Sequence, residues 1–229
     1  MPLFELKNIY KTYLLGKIEI NALIDISIDI EKGEFAALVG PSGSGKTTLL
    51  NLMGCLDNPT RGEIVLNGHN LSNLTPREQA FIRRREIGFI FQSYNLIPVM
   101  TSYENVAFPL LISGISSDGE IKDRVNAIIK EVGLYEQKDR RPDLLSGGQQ
   151  QRIAIARALV KTPSIVLADE PTANLDSHTA TEILELMREL NKKHGITFVF
   201  STHDSLVMSF ARRIITLHDG RIASDETKS

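Results

Sequence analysis

A glycine-rich stretch early in the chain could wrap around a polyphosphate. It reads Gly-Pro-Ser-Gly-Ser-Gly-Lys-Thr over residues 40–47, directly after the apolar run Phe35–Val39 and before a helical pattern. Glycines let the backbone turn its N–H groups inward towards phosphate oxygens, and the start of a helix adds a favourable potential for anions. The Lys46 ammonium would contact the β- and γ-phosphates, and the Thr47 hydroxyl could bind Mg²⁺. The stretch therefore predicts a site for a polyphosphate with Mg²⁺.

Two carboxylates, Asp169 and Glu170, follow a second apolar run, Ile165–Ala168. A parallel sheet brings the carboxyl ends of its strands to one edge, so Asp169 is expected beside the glycine-rich loop, where it would hold Mg²⁺. Glu170 would position or deprotonate an attacking water. An Asp-Glu pair after a strand usually forms a solvated turn, but the nearby phosphate loop favours the catalytic interpretation. Together the two motifs resemble those of P-loop NTPases, a class that includes kinases, GTPases and motors.

A third motif, Leu145 to Gln149 with the sequence Leu-Ser-Gly-Gly-Gln, opens the helical pattern of residues 149–160. Ser146 and two glycines at a helix start form a second possible anion site. One ATP has a single γ-phosphate, so this second site is expected to serve the nucleotide of a facing copy. The run Leu-Ser-Gly-Gly-Gln-Gln-Gln-Arg resembles the signature of ABC ATPases, and the resemblance extends over nearly all 229 residues.

The resemblance implies roles for four further parts of the chain. Tyr13 corresponds to the aromatic residue that stacks on adenine, although a lone tyrosine near a strand more often packs. Gln92 corresponds to the glutamine that touches Mg²⁺ or the attacking water, and His203 to the switch histidine at the γ-phosphate. Residues 174–176, Asn-Leu-Asp, correspond to the loop that crosses to the opposite subunit. Ala173 stands where related chains often have glycine, which makes that loop a less close match.

The candidate residues fall into three sets, and the implied cofactors are ATP and Mg²⁺. The predicted catalytic residues are Lys46, Gln92, Glu170 and His203. The predicted nucleotide-binding residues are Tyr13, Gly40, Pro41, Ser42, Gly43, Ser44, Gly45, Lys46, Thr47, Thr48, Gln92, Ser146, Gly147, Gly148 and Gln149. The predicted metal ligands are Thr47, Gln92 and Asp169.

The strand and helix patterns around these candidate residues predict an α/β fold. Buried-strand patterns alternate with helical patterns, such as the amphipathic stretch 179–193, which implies a mainly parallel sheet with covered faces. Residues 4–9 and 22–30 alternate apolar with polar side chains, as half-exposed strands do. With the resemblance, this predicts the ABC ATPase fold of P-loop NTPases. It has a mainly parallel sheet core, an N-terminal antiparallel β region and an inserted helical lobe at about 93–160, within one nucleotide-binding domain over residues 4–229.

Composition argues against several other classes of protein. Hydrophobic residues make up 42% of the chain and charged residues 24%, as in ordinary soluble domains, and a net charge of −2 creates no general attraction for nucleic acid. The single cysteine, Cys55, lies in an apolar stretch and is expected to be a buried thiol. No stretch approaches the roughly 18 apolar residues of a membrane span. We therefore expect a cytoplasmic protein held at the inner face of the cell membrane by a separate permease, without direct insertion.

The function implied by the resemblance is that of an ATP-binding subunit of an ABC transporter. It would hydrolyse ATP at two shared sites of a head-to-tail homodimer and drive a membrane permease. Residues 54–57, 92–96 and 167–172 most resemble the group that releases lipoproteins, exports macrolides or antimicrobial peptides, or acts with the cell-division permease. This favours export or extraction. The alternatives are an ABC ATPase acting on nucleic acid or the ribosome, which the single cassette disfavours, and an ATPase that signals through a permease.

Two stretches could contact a membrane partner. Ser93–Met100 is rich in large apolar side chains, which need a cover from a partner or from the chain's own core. In the family, a groove between the core and the helical lobe receives a short helix of the membrane subunit, and this stretch would line it. The run Arg83–Arg85 is expected to be a solvated helix face rather than a contact to lipid or phosphate.

Overall fold

A computed structural model describes residues 2–115 and 117–228. In chain order the elements are β1 (Phe4–Leu15), β2 (Ile18–Ile30), β3 (Phe35–Val39), α1 (Lys46–Met53), β4 (Arg61–Leu66), β5 (His69–Asn70), α2 (Pro76–Glu86), β6 (Ile87–Ile90), α3 (Ser102–Ile112), α4 (Asp118–Glu131), α5 (Gly147–Leu159), β7 (Ile165–Asp169), α6 (Ser177–His194), β8 (Thr197–Thr202), α7 (Ser205–Phe210), β9 (Arg213–His218) and β10 (Arg221–Thr227). Within these described ranges, no helix combines the length and apolar character needed to cross a bilayer.

Two sheets form the β structure. The first has the order β2-β1-β4-β5 and is antiparallel throughout. The second has the order β10-β9-β3-β8-β7-β6, in which β10 is antiparallel to β9 and the other neighbours are parallel. The mainly parallel core sheet and the N-terminal antiparallel region are therefore confirmed. The hairpin β1–β2 is longer than the strands predicted at residues 4–9 and 22–30. Its pairing continues to Leu15, which lies opposite Ile18.

The parallel sheet is covered on both faces, as its continuous apolar strands predict. Along β3, Ala37 and Val39 pack with helices α3 to α6, whereas Leu38 between them packs with α1 and the antiparallel sheet. Successive side chains of a strand point to opposite faces, so this short strand joins both hydrophobic cores. Full burial of a side chain the size of Val39 or Leu38 contributes about 1.5–3 kcal/mol. The phosphate loop therefore follows a strand that is packed firmly on both faces.

Helix starts are marked by side-chain caps that the sequence carries locally. Thr75 and Thr101 each accept the N–H of a glutamate three residues on, and that glutamate reaches back to the cap backbone. Ser146 and Gln149 form the same reciprocal box at α5. Such caps satisfy two N–H groups that a helix leaves unpaired.

The helical segment between β6 and β7 contains α3, α4 and α5, which contact one another and share a core with the parallel sheet. The division into a domain of residues 4–229 with a lobe at about 93–160 stays a prediction. The sequence patterns did not predict α7, whose six residues, capped by Asp204, are too few to show a helical period.

We expect Cys55 to be unreactive in the folded protein. Its side chain is buried, and burial raises the pKa of the thiol to about 11. At pH 8 only about one thiol in a thousand would be thiolate, the reactive form. An Ellman assay should find no rapid reaction in native buffer and one thiol per chain in guanidinium chloride. Fast labelling of the native protein would show that this segment opens.

Candidate functional site

One cleft collects most of the predicted catalytic and phosphate-binding residues. Its volume is about 700 Å³, and it lies at the carboxyl edge of the parallel sheet beside β2. It is lined by Ile20, Asn21, Ala22, Pro41, Ser42, Gly43, Ser44, Gly45, Lys46, Thr47, Thr48, Gln92, Asp169, Glu170, Ser201 and His203. The loop 41–48 thus shares a cleft with side chains that follow three different strands.

Two glycines allow the loop to pack closely against its neighbours. At Gly40, with φ +150°, a Cβ would lie 2.2 Å from the carbonyl oxygen of Leu217. At Gly45, with φ +104°, it would lie 2.7 Å from the carbonyl oxygen of Ala22. Any side chain at these positions would push the loop off β2 and β9. The carbonyl of Ser44 also accepts the N–H of Gly220, which fixes the loop to the β9–β10 turn.

The side chains of Lys46 and Ser44 lie at the centre of this loop. Lys46 Nζ donates to the carbonyl oxygens of Gly40 and Pro41, at 2.8 and 3.0 Å. The Ser44 hydroxyl is buried and has no hydrogen-bond partner among the described residues. A buried hydroxyl without a partner is costly, so the loop carries a polar group whose hydrogen bonding is incomplete.

Asp169 ends β7 and forms one wall of the cleft. Burial raises the pKa of its carboxyl group, with a smaller rise from the charge of Glu170, while a hydrogen bond from Ser201 and the charge of Lys46 act in the opposite direction. The cleft therefore contains a partly desolvated carboxylate facing a lysine ammonium.

Glu170 adopts a strained backbone conformation, with φ +44°. Its N–H donates to the Ser201 carbonyl at 2.9 Å, and its carboxylate accepts the Thr202 hydroxyl at 3.0 Å. The other carboxylate oxygen lies 2.6 Å from His203 Nδ1. A left-handed non-glycine residue costs of order 1–2 kcal/mol and persists where surrounding contacts fix it. Here those contacts place the carboxylate at the cleft wall beside the imidazole.

Gln92 lines the cleft from the loop that follows β6. Its carbonyl oxygen accepts a hydrogen bond from Asn174 Nδ2 at 2.9 Å. The predicted intersubunit loop 174–176 is thus joined to the Gln92 loop within one chain. Asp176 also caps α6 by accepting the N–H groups of His178 and Thr179.

Tyr13 lies beside the cleft but is not one of its lining residues. It pairs across the hairpin with Ile20, which does line the cleft. Its hydroxyl donates to Asp57 Oδ2 at 2.9 Å, and the Lys11 ammonium lies 4.8 Å from the centre of its ring. Tyr13 as a whole residue is 38% exposed. Its predicted stacking on adenine stays a prediction.

The signature residues 146–149 are not brought into this cleft. Among the described residues that line it, none comes from α5 or its cap. Ser146 is exposed, and its hydroxyl accepts the Gln149 N–H. A Cβ at Gly147 would lie 3.0 Å from the Tyr94 hydroxyl, and one at Gly148 would lie 2.5 Å from Thr179 Cγ2. The helix start is therefore formed by tight packing, away from the chain's own phosphate loop.

Comparison with known families gives a clear result. A family profile described as ABC transporter matches residues 23–173, from β2 through the acidic strand end to Ala173. The chain belongs to the ABC transporter family.

Two relatives show how much of other ABC proteins this cassette covers. It is 49% identical over 223 residues to a macrolide export ATP-binding/permease protein MacB of Syntrophobacter fumaroxidans, covering 97% of this chain and 31% of that protein. It is 46% identical over 227 residues to the ABC transporter ATP-binding protein MJ0796 of Methanocaldococcus jannaschii, covering 98% of this chain and 97% of that one. The chain thus spans about a third of the MacB relative's length.

Solved structures of MJ0796 have the same fold as this cassette. One is a dimeric post-hydrolysis state bound to ADP and Pi, with a TM-score of 0.89 and 45% identity over 99% of each chain. A second dimeric structure of that cassette matches equally well. The predicted ABC ATPase fold is confirmed.

The donor set of the ABC cassette's cleft fits Mg²⁺. The Thr47 hydroxyl, the Gln92 amide oxygen and the Asp169 carboxylate belong to side chains that line one cavity. Mg²⁺ prefers oxygen ligands and is commonly held by one or two carboxylates together with phosphate oxygens and waters. Throughout residues 2–115 and 117–228, no three His, Cys, Asp or Glu side chains gather as an all-protein metal site. The arrangement therefore suits a metal that arrives with a phosphate ligand.

A second cavity of this cassette, about 620 Å³, lies between α2, β6, α3 and α5 and is called here the lateral groove. It is lined by Leu56, Arg77, Ala80, Arg83, Arg84, Ile87, Gly88, Phe89, Phe91, Asn95, Pro109, Ile112, Arg157, Ala158 and Lys161. Of the stretch Ser93–Met100, Asn95 lines the groove and Leu96 packs on the core, while the contact of this stretch with a membrane partner stays a prediction. Arg83 is half-buried, Arg84 and Arg85 are exposed as the solvated helix face predicts, and Arg83 and Arg84 also donate to the carbonyl oxygens of Cys55 and Ile112.

Sequence reasoning missed several residues of the cleft wall in this cassette. Ser201 follows from the same strand-end argument that found Asp169, since β8 is the next strand of the sheet. Ile20, Asn21 and Ala22 were missed because the alternating pattern of β2 is clear only from Ala22 onwards.

Proposed function

We propose that this chain binds ATP with Mg²⁺ in the cleft at the sheet edge and hydrolyses it. Two copies would associate head to tail and complete two shared sites. The observation that carries the proposal is the division of the motifs in space. The phosphate loop, Asp169, Glu170, Gln92 and His203 line one cleft, whereas Ser146 caps a helix outside it.

The phosphate loop would hold the triphosphate through its backbone N–H groups and the Lys46 ammonium. Lys46 now donates to two carbonyl oxygens, and an ammonium has three donors, so it can exchange carbonyl for phosphate contacts. Thr47, Gln92 and Asp169 would hold Mg²⁺, which neutralises charge on the phosphates. Thr48 lies at the same wall, and Tyr13 would stack on the base.

Glu170 would accept a proton from, or orient, the attacking water. Each carboxylate oxygen makes one contact, to Thr202 or to His203, and each has a second lone pair. The carboxylate can therefore accept a water hydrogen bond without losing its supports. His203 would contact the γ-phosphate, because a protonated or neutral imidazole N–H can donate to its oxygens.

The second half of each site would come from the partner copy. Ser146, Gly147, Gly148 and Gln149 would face the γ-phosphate bound to the other chain, where a hydroxyl and a helix N-terminus favour an anion. ATP would thereby hold two chains together, and hydrolysis would release them. The dimeric MJ0796 cassette with ADP and Pi supports this arrangement for a relative sharing 45% identity.

We further propose that the motion drives a separate membrane permease and that the chain is peripheral on the cytoplasmic face of the membrane. The lateral groove offers an apolar floor of Ile87, Phe89 and Phe91 with five cationic side chains around it, which suits a short permease helix carrying acidic residues. The MacB relatives, named as macrolide export proteins, support export or extraction of a lipoprotein, macrolide or peptide.

The test is phosphate release from Mg-ATP by the wild type and by Lys46→Met. The variant removes the cation at the phosphates, and loss of one such contact typically costs about 10²- to 10³-fold in rate. Lys192→Met is the matched control, because it removes an exposed helical lysine far from the cleft. The control should match the wild type, and chelation of Mg²⁺ should abolish activity. Turnover by Lys46→Met at the wild-type rate would refute the proposed site.

A further inference from the structure

Arg157 lies near the end of the signature helix α5 and forms hydrogen bonds with the loop that contains Gln92. Its guanidinium donates to two consecutive carbonyl oxygens, those of Tyr94, at 2.6 Å, and Asn95. The side chain is half-buried in the wall of the lateral groove. Among the described residues no carboxylate pairs with it, and burial lowers the pKa of the guanidinium. Its hydrogen bonds therefore go to the loop backbone and not to an ion pair.

The segment bound by Arg157, Tyr94–Asn95, is under backbone strain. Tyr94 and Asn95 are consecutive non-glycine residues with φ of +58° and +49°. A left-handed conformation costs roughly 1–2 kcal/mol per residue for side-chain-bearing residues, less for asparagine. Such a turn relaxes unless contacts hold it, and the forked donors of Arg157 supply two of those contacts at the strained carbonyls.

The same turn reaches the signature motif. The Tyr94 hydroxyl lies 3.0 Å from the position that a Cβ of Gly147 would occupy, and Leu175 Cδ2 lies 3.5 Å from it. On its other side the loop is tied to Asn174 through the Gln92 carbonyl. The Gln92 loop, which contains the strained turn, therefore contacts the signature start through Tyr94 and the intersubunit loop through Gln92.

We propose that Arg157 is a positioning residue that sets the place of Gln92 and of the signature motif together by holding the Tyr94–Asn95 turn in its strained form. The inference rests on the proposed function, since it assigns Gln92 to the nucleotide site. It adds a physical link from the wall of the lateral groove to both halves of that site. Arg157 itself touches neither nucleotide nor metal in this arrangement.

Arg157→Lys isolates this role. Lysine keeps the charge but has a single nitrogen on a flexible chain, so it cannot place a separate, rigidly held nitrogen on each carbonyl as the planar guanidinium does. We expect kcat for Mg-ATP to fall about tenfold to a hundredfold, the size expected of a small misplacement of catalytic groups. KM for ATP and the affinity for ATP should change much less than kcat, because Lys46 and the phosphate loop are untouched.

A tryptophan reporter distinguishes positioning from folding. The chain contains no tryptophan, so Ser93→Trp, at an exposed position in the loop, gives a single fluorophore. In this background, Arg157→Lys should raise the acrylamide quenching constant of nucleotide-free protein, because the turn is released. Arg213→Lys is the matched control, since Arg213 is also a half-buried arginine that donates to a carbonyl, that of Asp29, and lies outside the cleft, the groove and the signature. It should leave quenching and kcat unchanged.

Three outcomes would overturn the inference. They are a wild-type kcat for Arg157→Lys, a fall in kcat with unchanged quenching, or a fall that merely follows a lowered melting temperature and appears equally with Arg213→Lys. Failure of the proposed function would look different. The wild type itself would then show no Mg-ATP hydrolysis, whereas the quenching comparison, made without nucleotide, would still report whether Arg157 holds the turn.

Discussion

Glu170→Gln should nearly abolish ATP turnover while ATP binding persists, and the variant should accumulate as a dimer in Mg-ATP. Loss of a general base typically costs about 10²- to 10⁴-fold in rate. Glutamine is nearly the same size and can still accept the Thr202 hydroxyl, so the fold and the phosphate loop should be intact. Light scattering after gel filtration should give twice the mass of the 25.5 kDa chain.

Glu189→Gln is the matched control, because it makes the same chemical change on an exposed position of α6. It should hydrolyse ATP at the wild-type rate and should not accumulate as a dimer. Normal turnover by Glu170→Gln would show that another group activates the water. A Glu170→Gln protein that stays monomeric in saturating Mg-ATP would contradict the shared-site arrangement itself.

The strand-end argument explains why most of the cleft could be predicted from the sequence. Asp169 and His203 each follow a strongly apolar strand, and parallel strands must end at one edge of the sheet. The glycine loop follows β3 in the same sheet, so local patterns placed these groups in one cleft without tertiary information. Gln92 was assigned from the family resemblance alone, and it lines the same cleft because β6 is the strand next to β7.

Other features depend on contacts between distant parts of the chain, for which single-sequence patterns carry no signal. Tyr13 bonds to Asp57, and Arg157 bonds to Tyr94, across separations of 44 and 63 residues. The hairpin extension was missed because Leu14 and Leu15 are adjacent and exposed, which breaks the alternation of a strand. The positive φ of Glu170 could not be predicted from the sequence either, because glutamate, unlike glycine or asparagine, does not favour that conformation.

The signature motif shows a different limit of sequence reasoning. The caps around it are local, so the start of α5 at Gly147 could be anticipated from Ser146. Which nucleotide it serves depends on a second molecule and cannot be read from one chain's packing. The distance in space between this helix start and the phosphate loop makes the assignment testable by mixing two inactive variants.

Ser146→Arg should inactivate a homodimer, because a bulky cation would replace the hydroxyl at the shared face in both sites. We expect a loss of at least about 10²-fold in kcat, as for removal of a positioned donor. Ser117→Arg is the matched control. Ser117 is likewise an exposed helix N-cap whose side chain accepts an N–H three residues on, so it loses a similar cap, worth about 1 kcal/mol, outside the signature. The control should remain active.

Heterodimers then decide whether the sites are shared. If each site combines the cleft of one chain with the signature of the other, pairing Ser146→Arg with Glu170→Gln leaves one complete site, although both homodimers are inactive. Pairing the double variant with the wild type leaves none. If each site belonged to a single chain, the results would be reversed, because the wild-type chain alone would then turn over ATP. Joining the two chains of each pair in one polypeptide through a flexible linker keeps the pairing fixed during turnover, so that phosphate release by each linked pair distinguishes the two arrangements directly.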